Sequence, residues 1–237
     1  MRIFAIGDLH LPGGDDKPMN VFGPHWDGHW DKIRADWRAR VAAEDVVLIP
    51  GDISWAMQLQ DALPDLRAIG ELPGRKILLR GNHDYWWGAI TRVRDALPDG
   101  MYALQNDALT LENITFCGSR GWTNPQQNAQ SEDARLYARE LARLQLSLDQ
   151  ARQQNPEGRL VALTHFPPLG EGGTPTPVSE LMQQYHVGDV VYGHLHGASI
   201  RGAFSGAVAG VRYHFVSCDG LDFQLYQLPD QVENSAQ

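Results

Sequence analysis

Five short runs of β-branched and aliphatic residues, Arg2 to Ile6, Val46 to Ile49, Lys76 to Leu79, Leu160 to Leu163 and Val187 to Tyr192, each stop at a cluster containing Gly, Asp, Asn or His. Runs this short, with little polar alternation, suit strands buried on both faces, as in a parallel sheet covered by helices. Helical patterns fall between them. Trp26, Trp30, Ile33, Trp37 and Val41 recur at steps of three and four, and Ala134 to Gln154 is long, rich in Leu, Ala, Arg and Gln, and stopped by Asn155-Pro156. Strand, polar loop, helix, strand is α/β grammar, and in open α/β sheets the ligand lies beyond the carboxyl ends of the strands.

Other runs break this rhythm. Ala108 to Leu111, Ile114 to Cys117, Ala207 to Gly210, Tyr213 to Ser217 and Phe223 to Leu228 read as short strands with tight turns, Glu112-Asn113 being one of them. They predict a second, partly antiparallel sheet. The expected architecture is α/β, with two packed mixed β-sheets flanked by helices. No linker composition or fixed repeat divides the chain, so residues 1–228 are expected to form a single domain, followed by a polar tail over 229–237.

Charge and cysteine content exclude several functions. With 20 basic against 29 acidic side chains the formal charge is −9, so the overall field offers a nucleic acid no attraction. Cys117 and Cys218 are far apart and in no CxxC spacing, which points to two buried thiols and not to a disulfide or structural zinc. MRIFAIGDLH does not read as a signal peptide, and no stretch approaches the roughly 18 apolar residues of a membrane span. A cytoplasmic protein with no membrane partner is the expectation.

The chemistry-bearing residues collect at the strand ends: Asp8 and His10, Asp52, Asn82 with His83 and Asp84, His165, then His194 and His196. Five of the nine histidines lie at such positions. Any one of these residues alone would be read as a turn former or a solvated loop residue. Five clusters at the same end of a sheet form a set of N and O donors suited to manganese, iron or zinc. Residues i and i+2 of an extended segment share a side, so Asp8 with His10, and His194 with His196, are each expected to face one cleft. Gly7, Gly51, Gly81 and Gly193 stand directly before these groups, where the lack of a Cβ permits close backbone approach.

GDLH at 7–10, GD at 51–52, GNHD at 81–84, TH at 164–165 and GHLH at 193–196 together resemble the signature of the calcineurin-like metallophosphoesterases, in the family's order and over most of the chain. The resemblance implies two divalent metal ions, one held by Asp8, His10, Asp52 and His196. The other would be held by Asp52, Asn82, His165 and His194, with Asp52 bridging. It further implies hydrolysis of a phosphate ester, mono- or diester, of a small phosphorylated molecule by metal-bound hydroxide. Two ions, two carboxylates and one hydroxide leave about one positive charge for the phosphate. His83 would touch the phosphate and protonate the leaving oxygen, and Arg80 could contact phosphate through its guanidinium fork.

LRGNH also resembles the serine/threonine phosphatase branch, but GDISWAM has Trp55 where that branch carries the carboxylate that orients its histidine. Protein phosphatase and nuclease are therefore alternatives within the family, and a non-catalytic metal-binding scaffold is the alternative outside enzymology. Trp26, Trp30 and Trp37 fit one apolar helix face. Trp55, Trp86, Trp87 and Trp122 lie by the metal motifs or in a loop, where an aromatic could stack on a flat substrate group. The segment from Leu11 to His25 reads as a lid or as a plain surface loop.

Overall fold

The computed structural model describes residues 1–14, 18–125 and 131–230. In chain order the elements are β1 (Ile3–Ala5), α1 (His29–Arg40), β2 (Val46–Ile49), α2 (Leu59–Gly70), β3 (Arg75–Leu79), α3 (Ile90–Ala96), β4 (Met101–Leu104), β5 (Ala108–Leu111) and β6 (Ile114–Gly118). There follow α4 (Glu132–Gln154), β7 (Arg159–Leu163), α5 (Pro177–Gln184), β8 (Asp189–Tyr192), β9 (Gly206–Val208), β10 (Val211–Phe215) and β11 (Tyr226–Gln227). One sheet has five strands in the order β11-β1-β2-β3-β4, and the other six, β5-β6-β7-β8-β10-β9. Pairing is parallel from β1 to β4 and from β6 through β7 and β8 to β10, with antiparallel edges at β11, β5 and β9. This is the α/β architecture of two mixed sheets flanked by helices.

The two-residue period of the strands explains the layering. Ile3, Ala5, Val46, Leu48, Ile77 and Leu79 face the second sheet and meet Phe116, Val161, Leu163 and Val191 there. The alternate residues Phe4, Val47, Ile49 and Leu78 face outward onto Ile33 and Trp37 of α1, Leu66 of α2 and Val93 of α3. On the far side, Leu144, Leu148 and Ala151 of α4 cover Leu160, Ala162 and Val190. Ser131 caps α4 by accepting the Ala134 N–H at 3.1 Å, which satisfies one of the helix's free donors.

Three expectations are corrected. Trp26 does not lie on α1; it sits in a 3-10 turn (Pro24–Trp26), because Gly28 takes a left-handed conformation (φ 60°) and the helix starts only at His29. The run Phe223 to Leu228 shrinks to the two residues of β11 and joins the first sheet beside β1. Asp222 and Phe223 are both in the left-handed region (φ 49° and 61°), which ends any extended backbone there. Trp86 and Trp87 are 2% and 1% exposed and pack under the first sheet's helices, so neither can stack on a substrate. Both cysteines are buried free thiols. Of the expected tail, residues 231–237 lie outside the described residues, as do 15–17 of the segment from Leu11 to His25. Among the described residues, no helix is long and apolar enough to cross a membrane.

At the end of the second sheet where β8 begins, buried Asp189 accepts from Arg159 Nη2 (2.9 Å), Arg212 Nε and Nη2 (both 2.8 Å) and His214 Nε2 (2.9 Å). Burial alone would raise its carboxyl, but the bonds from His214, Arg212 and Arg159 outweigh this and hold it well below the usual carboxylate range. Its contribution to stability is therefore present above the unfolded value near about 3.9 and is lost as pH falls toward the folded one. Asp189→Asn strands two arginines without a counter-charge. It should cost about 3 to 5 kcal/mol, a fall in Tm of roughly 10 °C on thermal unfolding; an unchanged Tm would mean that water already solvates the cluster.

Candidate metal centre

The carboxyl ends of the parallel strands in both sheets open on the same edge. Asp8 and His10 follow β1, Asp52 follows β2, Asn82 and His83 follow β3, His165 follows β7, and His194 and His196 follow β8. Backbone bonds lock the first two loops together, with Asp8 N–H donating to Gly51 O and His10 N–H to Asp52 O, each at 3.0 Å. The sheets are joined there as well, since Gly7 N–H donates to Val216 O at 2.7 Å.

The extended-segment reasoning for the donor pairs fails in its detail. Asp8, His10, Asp52 and His194 all have positive φ (57°, 45°, 51° and 75°), a region that non-glycine residues occupy at a cost of order 1–3 kcal/mol each. As a result, His194 and His196 turn into different donor sets. The glycine argument holds where approach is closest. A Cβ on Gly81 would stand 2.1 Å from Asp52 Oδ1, and one on Gly193 would stand 2.2 Å from Asp8 Oδ2, so any side chain there would collide with a carboxylate.

Two groups of donor atoms result, Asp8, His10 and His196 in one and Asp52, His165 and His194 in the other, with the atoms of each group within 4.8 Å of one another. In the first, His196 Nε2 lies 3.5 Å from Asp8 Oδ1 and 3.3 Å from His10 Nε2. In the second, His165 Nε2 lies 3.4 Å from Asp52 Oδ2, 3.2 Å from His194 Nδ1 and 2.7 Å from Asn82 Oδ1. Asp52 Oδ2 is also 4.0 Å from His10 Nε2, which places it between the groups. Donors held about 2.0–2.2 Å from a shared first-row ion stand roughly 3 to 3.5 Å apart, so the spacing fits a divalent cation in each group.

The protonation pattern points the same way. Burial raises both Asp8 and Asp52, but the bond from His196 and the charge of His165, respectively, outweigh it and hold both carboxyls low. Burial pushes His10 down to about 4, and burial with the charge of His165 does the same to His194. Burial works against charged His196 and His165 too, yet bonds to Asp219 and Asp8 lift His196 to about 10, and the charge of Asp52 lifts His165. Two buried carboxylates thus draw two positive charges into the cluster, and protons supply them where no metal does.

Other side chains orient the donors. Asp219, absent from the sequence reading, follows β10 and meets His196 Nδ1 at 2.9 Å through Oδ1; its only signal is an acidic residue just beyond a strand. His165 Nδ1 is held by Pro50 O at 3.0 Å. Buried Asp84 accepts from the backbone of Ile53 (2.8 Å), Ser54 (3.2 Å) and Gly81 (2.7 Å) and from Trp86 Nε1 (3.0 Å), tying the Asp52 loop to the Asn82 loop. Burial and the charge of Asp52 push its carboxyl up to about 6. His10 instead stacks on Trp55, with ring centroids 4.8 Å apart and planes at 19°.

His83 lies beside the donors without joining them. Its N–H donates to Asp52 Oδ1 at 2.8 Å, and its ring centroid is 4.7 Å from that of Trp55. Trp55 and His83 share with Met19, Phe22 and Trp26 a cavity of about 380 Å³ that reaches His10 and His196. Trp26 and Trp55 therefore wall the cleft, while Trp37 belongs to the core and half-buried Trp122 packs on Phe166. Arg80 faces elsewhere, into a separate cavity with Arg120 and α4.

No curated protein matches the chain. Among the solved structures that share its fold are the phosphopantetheinyl hydrolase PptH of Mycobacterium tuberculosis (14% identity, TM-score 0.59, covering 100% of this chain and 98% of that one), TT1561 of Thermus thermophilus (12%, 0.57, 95% and 97%) and AQ665 of Aquifex aeolicus, a protein of unknown function (15%, 0.51, 95% and 95%). The family model for calcineurin-like phosphoesterases matches residues 1–198, most of the chain and every donor named above. Family, fold and donor groups agree on one conclusion: the chain belongs to the calcineurin-like phosphoesterases, divalent-metal-dependent hydrolases of phosphoric esters.

Proposed function

We propose that the chain hydrolyses a phosphate ester of a small molecule at a dinuclear centre of manganese, iron or zinc, with Asp52 as the shared donor. Asp8, His10, Asp52 and His196 would hold one ion, and Asp52, Asn82, His165 and His194 the other. The observation that carries this reading is the position of Asp52 Oδ2 within 4.0 Å of His10 Nε2 and 3.4 Å of His165 Nε2. When bound, two divalent ions supply Lewis acidity and a nucleophile at neutral pH.

The chain's own residues do the rest. The His83 backbone N–H occupies Asp52 Oδ1 and leaves Oδ2 free to serve as the shared donor. Asp219 and Pro50 O accept hydrogen bonds from Nδ1–H of His196 and His165, so the Nε2 lone pairs of both rings point inward. On this reading the His83 ring protonates the leaving oxygen, and its packing against Trp55, 4.7 Å between ring centroids, supports this by holding the ring where a carboxylate would otherwise do so. Removing the carboxylate behind His196, as in Asp219→Ala, should weaken metal affinity by about 10- to 100-fold in a metal titration; unchanged affinity would make Asp219 incidental.

The aromatic cavity favours a leaving group with a flat or apolar part. The likeness to the phosphopantetheinyl hydrolase is one of fold and supplies no substrate. The test uses chelator-stripped protein reloaded with manganese, zinc or iron(II), assayed on p-nitrophenyl phosphate, bis-p-nitrophenyl phosphate, naphthyl phosphate and glycerol phosphate. Metal-dependent turnover, with the aryl esters ahead of glycerol phosphate, is the expected result, and the ratio of the first two substrates separates monoesterase from diesterase. Absence of metal-dependent turnover on every member would overturn the reading and favour a scaffold.

A further inference from the structure

Arg80 at the end of β3, Arg120 beyond β6, and Arg139 and Arg143 on α4 converge on a cavity of about 230 Å³. Among the described residues lining it, Glu140 is the only carboxylate. Glu140 is 3% exposed, and its Oε1 lies 2.5 Å from Arg143 Nη1, 3.9 Å from Arg120 Nη2 and 4.0 Å from Arg139 Nε. Four guanidinium groups against one carboxylate leave three positive charges in excess, in a chain whose net charge is −9. Arg80 Nε is buried without a hydrogen-bond partner. One carboxylate can hold these arginines together, but it does not neutralise them.

Two of the cavity's arginines adjoin the donors Asn82 and His165 through the backbone, whereas the aromatic cavity is lined by His10 and His196. Arg80 is two residues before Asn82, and Arg120 O accepts the His165 N–H at 2.9 Å. We propose that this arginine cavity binds a phosphoryl group, distinct from the one that reacts at the donor cluster. Guanidinium forks match phosphate oxygens bidentately, and a phosphoryl dianion answers most of three excess charges as a single carboxylate does not. At a share of about 30 Å³ per water the cavity of about 230 Å³ holds roughly eight waters, room for one phosphoryl group and part of its hydration. The group could be free inorganic phosphate or a second phosphoryl of the substrate; the chemistry that recognises it is the same.

The test titrates inorganic phosphate into the manganese-loaded protein by calorimetry and compares the parent with the double variant Arg139→Gln/Arg143→Gln. Both side chains are well exposed (52% and 40%), so the fold and the metal content should persist. The parent should show phosphate binding that survives removal of the metal by chelator, and the double variant should weaken that binding at least about tenfold. A single bisphosphorylated ester then separates the sources. If the double variant raises its KM while leaving that of p-nitrophenyl phosphate unchanged, the bound group is the substrate's second phosphoryl. If both KM values hold while inorganic phosphate binding is lost, the site takes free phosphate. Identical phosphate titrations of parent and variant, or binding that vanishes entirely with chelator, would overturn the proposal. Because the first readout is heat of binding, its failure is separate from failure of the hydrolytic reading.

Discussion

Asp52→Asn should lower turnover by about 10³-fold or more, the equivalent of about 4 kcal/mol in the barrier, and should deplete bound metal in both positions. The reasoning rests on location more than residue type. Asp52 Oδ2 lies 4.0 Å from His10 Nε2 of one group and 3.4 Å from His165 Nε2 of the other, while Oδ1 is already committed to the His83 backbone N–H. The amide substitution removes one of the two buried negative charges that draw cations into the cluster, and it offers a neutral oxygen where an anionic one serves both groups. Because the side chain keeps its shape, the fold should hold. Circular dichroism together with metal analysis therefore separates a lost centre from a lost structure. Retention of two ions at parental affinity, with parental turnover, would remove Asp52 from the role assigned to it.

His83→Ala is expected to act differently. General acid catalysis is typically worth about 10² to 10⁴, so turnover should fall by that factor while both metals stay bound. Against the roughly 29 kcal/mol implied by accelerations up to ~10²¹ for phosphate monoesters, this is the smaller share, and the donor cluster must supply the larger one. A proton donor matters most for a leaving group that cannot depart as an anion. The loss should therefore be large on an alkyl ester such as glycerol phosphate and small on p-nitrophenyl phosphate. Equal losses on both substrates, or loss of metal, would assign His83 to the structure of the Asp52 loop, through its backbone bond, and not to proton transfer.

The legible part of this site is the part that local backbone chemistry controls. A short apolar run followed by Gly and Asp, or by Gly, Asn and His, announces a strand that ends in a sharp turn, and the structure brings all seven donor side chains to one edge. Gly81 and Gly193 could be read as close-approach positions because a Cβ at either would strike a carboxylate. What sequence order could not convey was set by packing over long separations. Asp219 reaches His196 from 23 residues away, through a loop after β10 that carries no motif. The short α2 was hidden by Pro64 within it, and α3 by its length of seven residues. α5 is announced by Pro177 behind the capping pair Thr176 and Ser179.

The tryptophans show the same limit. Trp55, Trp86 and Trp87 have similar sequence neighbourhoods beside donor motifs, yet only Trp55 stands in the cleft. Trp86 donates to buried Asp84, and Trp87 donates to Gln105 at 2.8 Å, which turns both indoles inward. A helical spacing likewise put Trp26 with Trp30 and Trp37, but the left-handed Gly28 breaks the helix and swings Trp26 over His196, with ring centroids 5.9 Å apart. Periodicity finds apolar faces; it does not say which of them meets a ligand.

The central claim, two ions sharing Asp52, is tested most directly by anomalous diffraction from crystals grown with manganese. The account predicts two peaks about 3.5 to 4 Å apart, one among Asp8, His10 and His196 and one among Asn82, His165 and His194, with Asp52 touching both. A single peak, or two peaks of which either lies out of reach of Asp52, would contradict it.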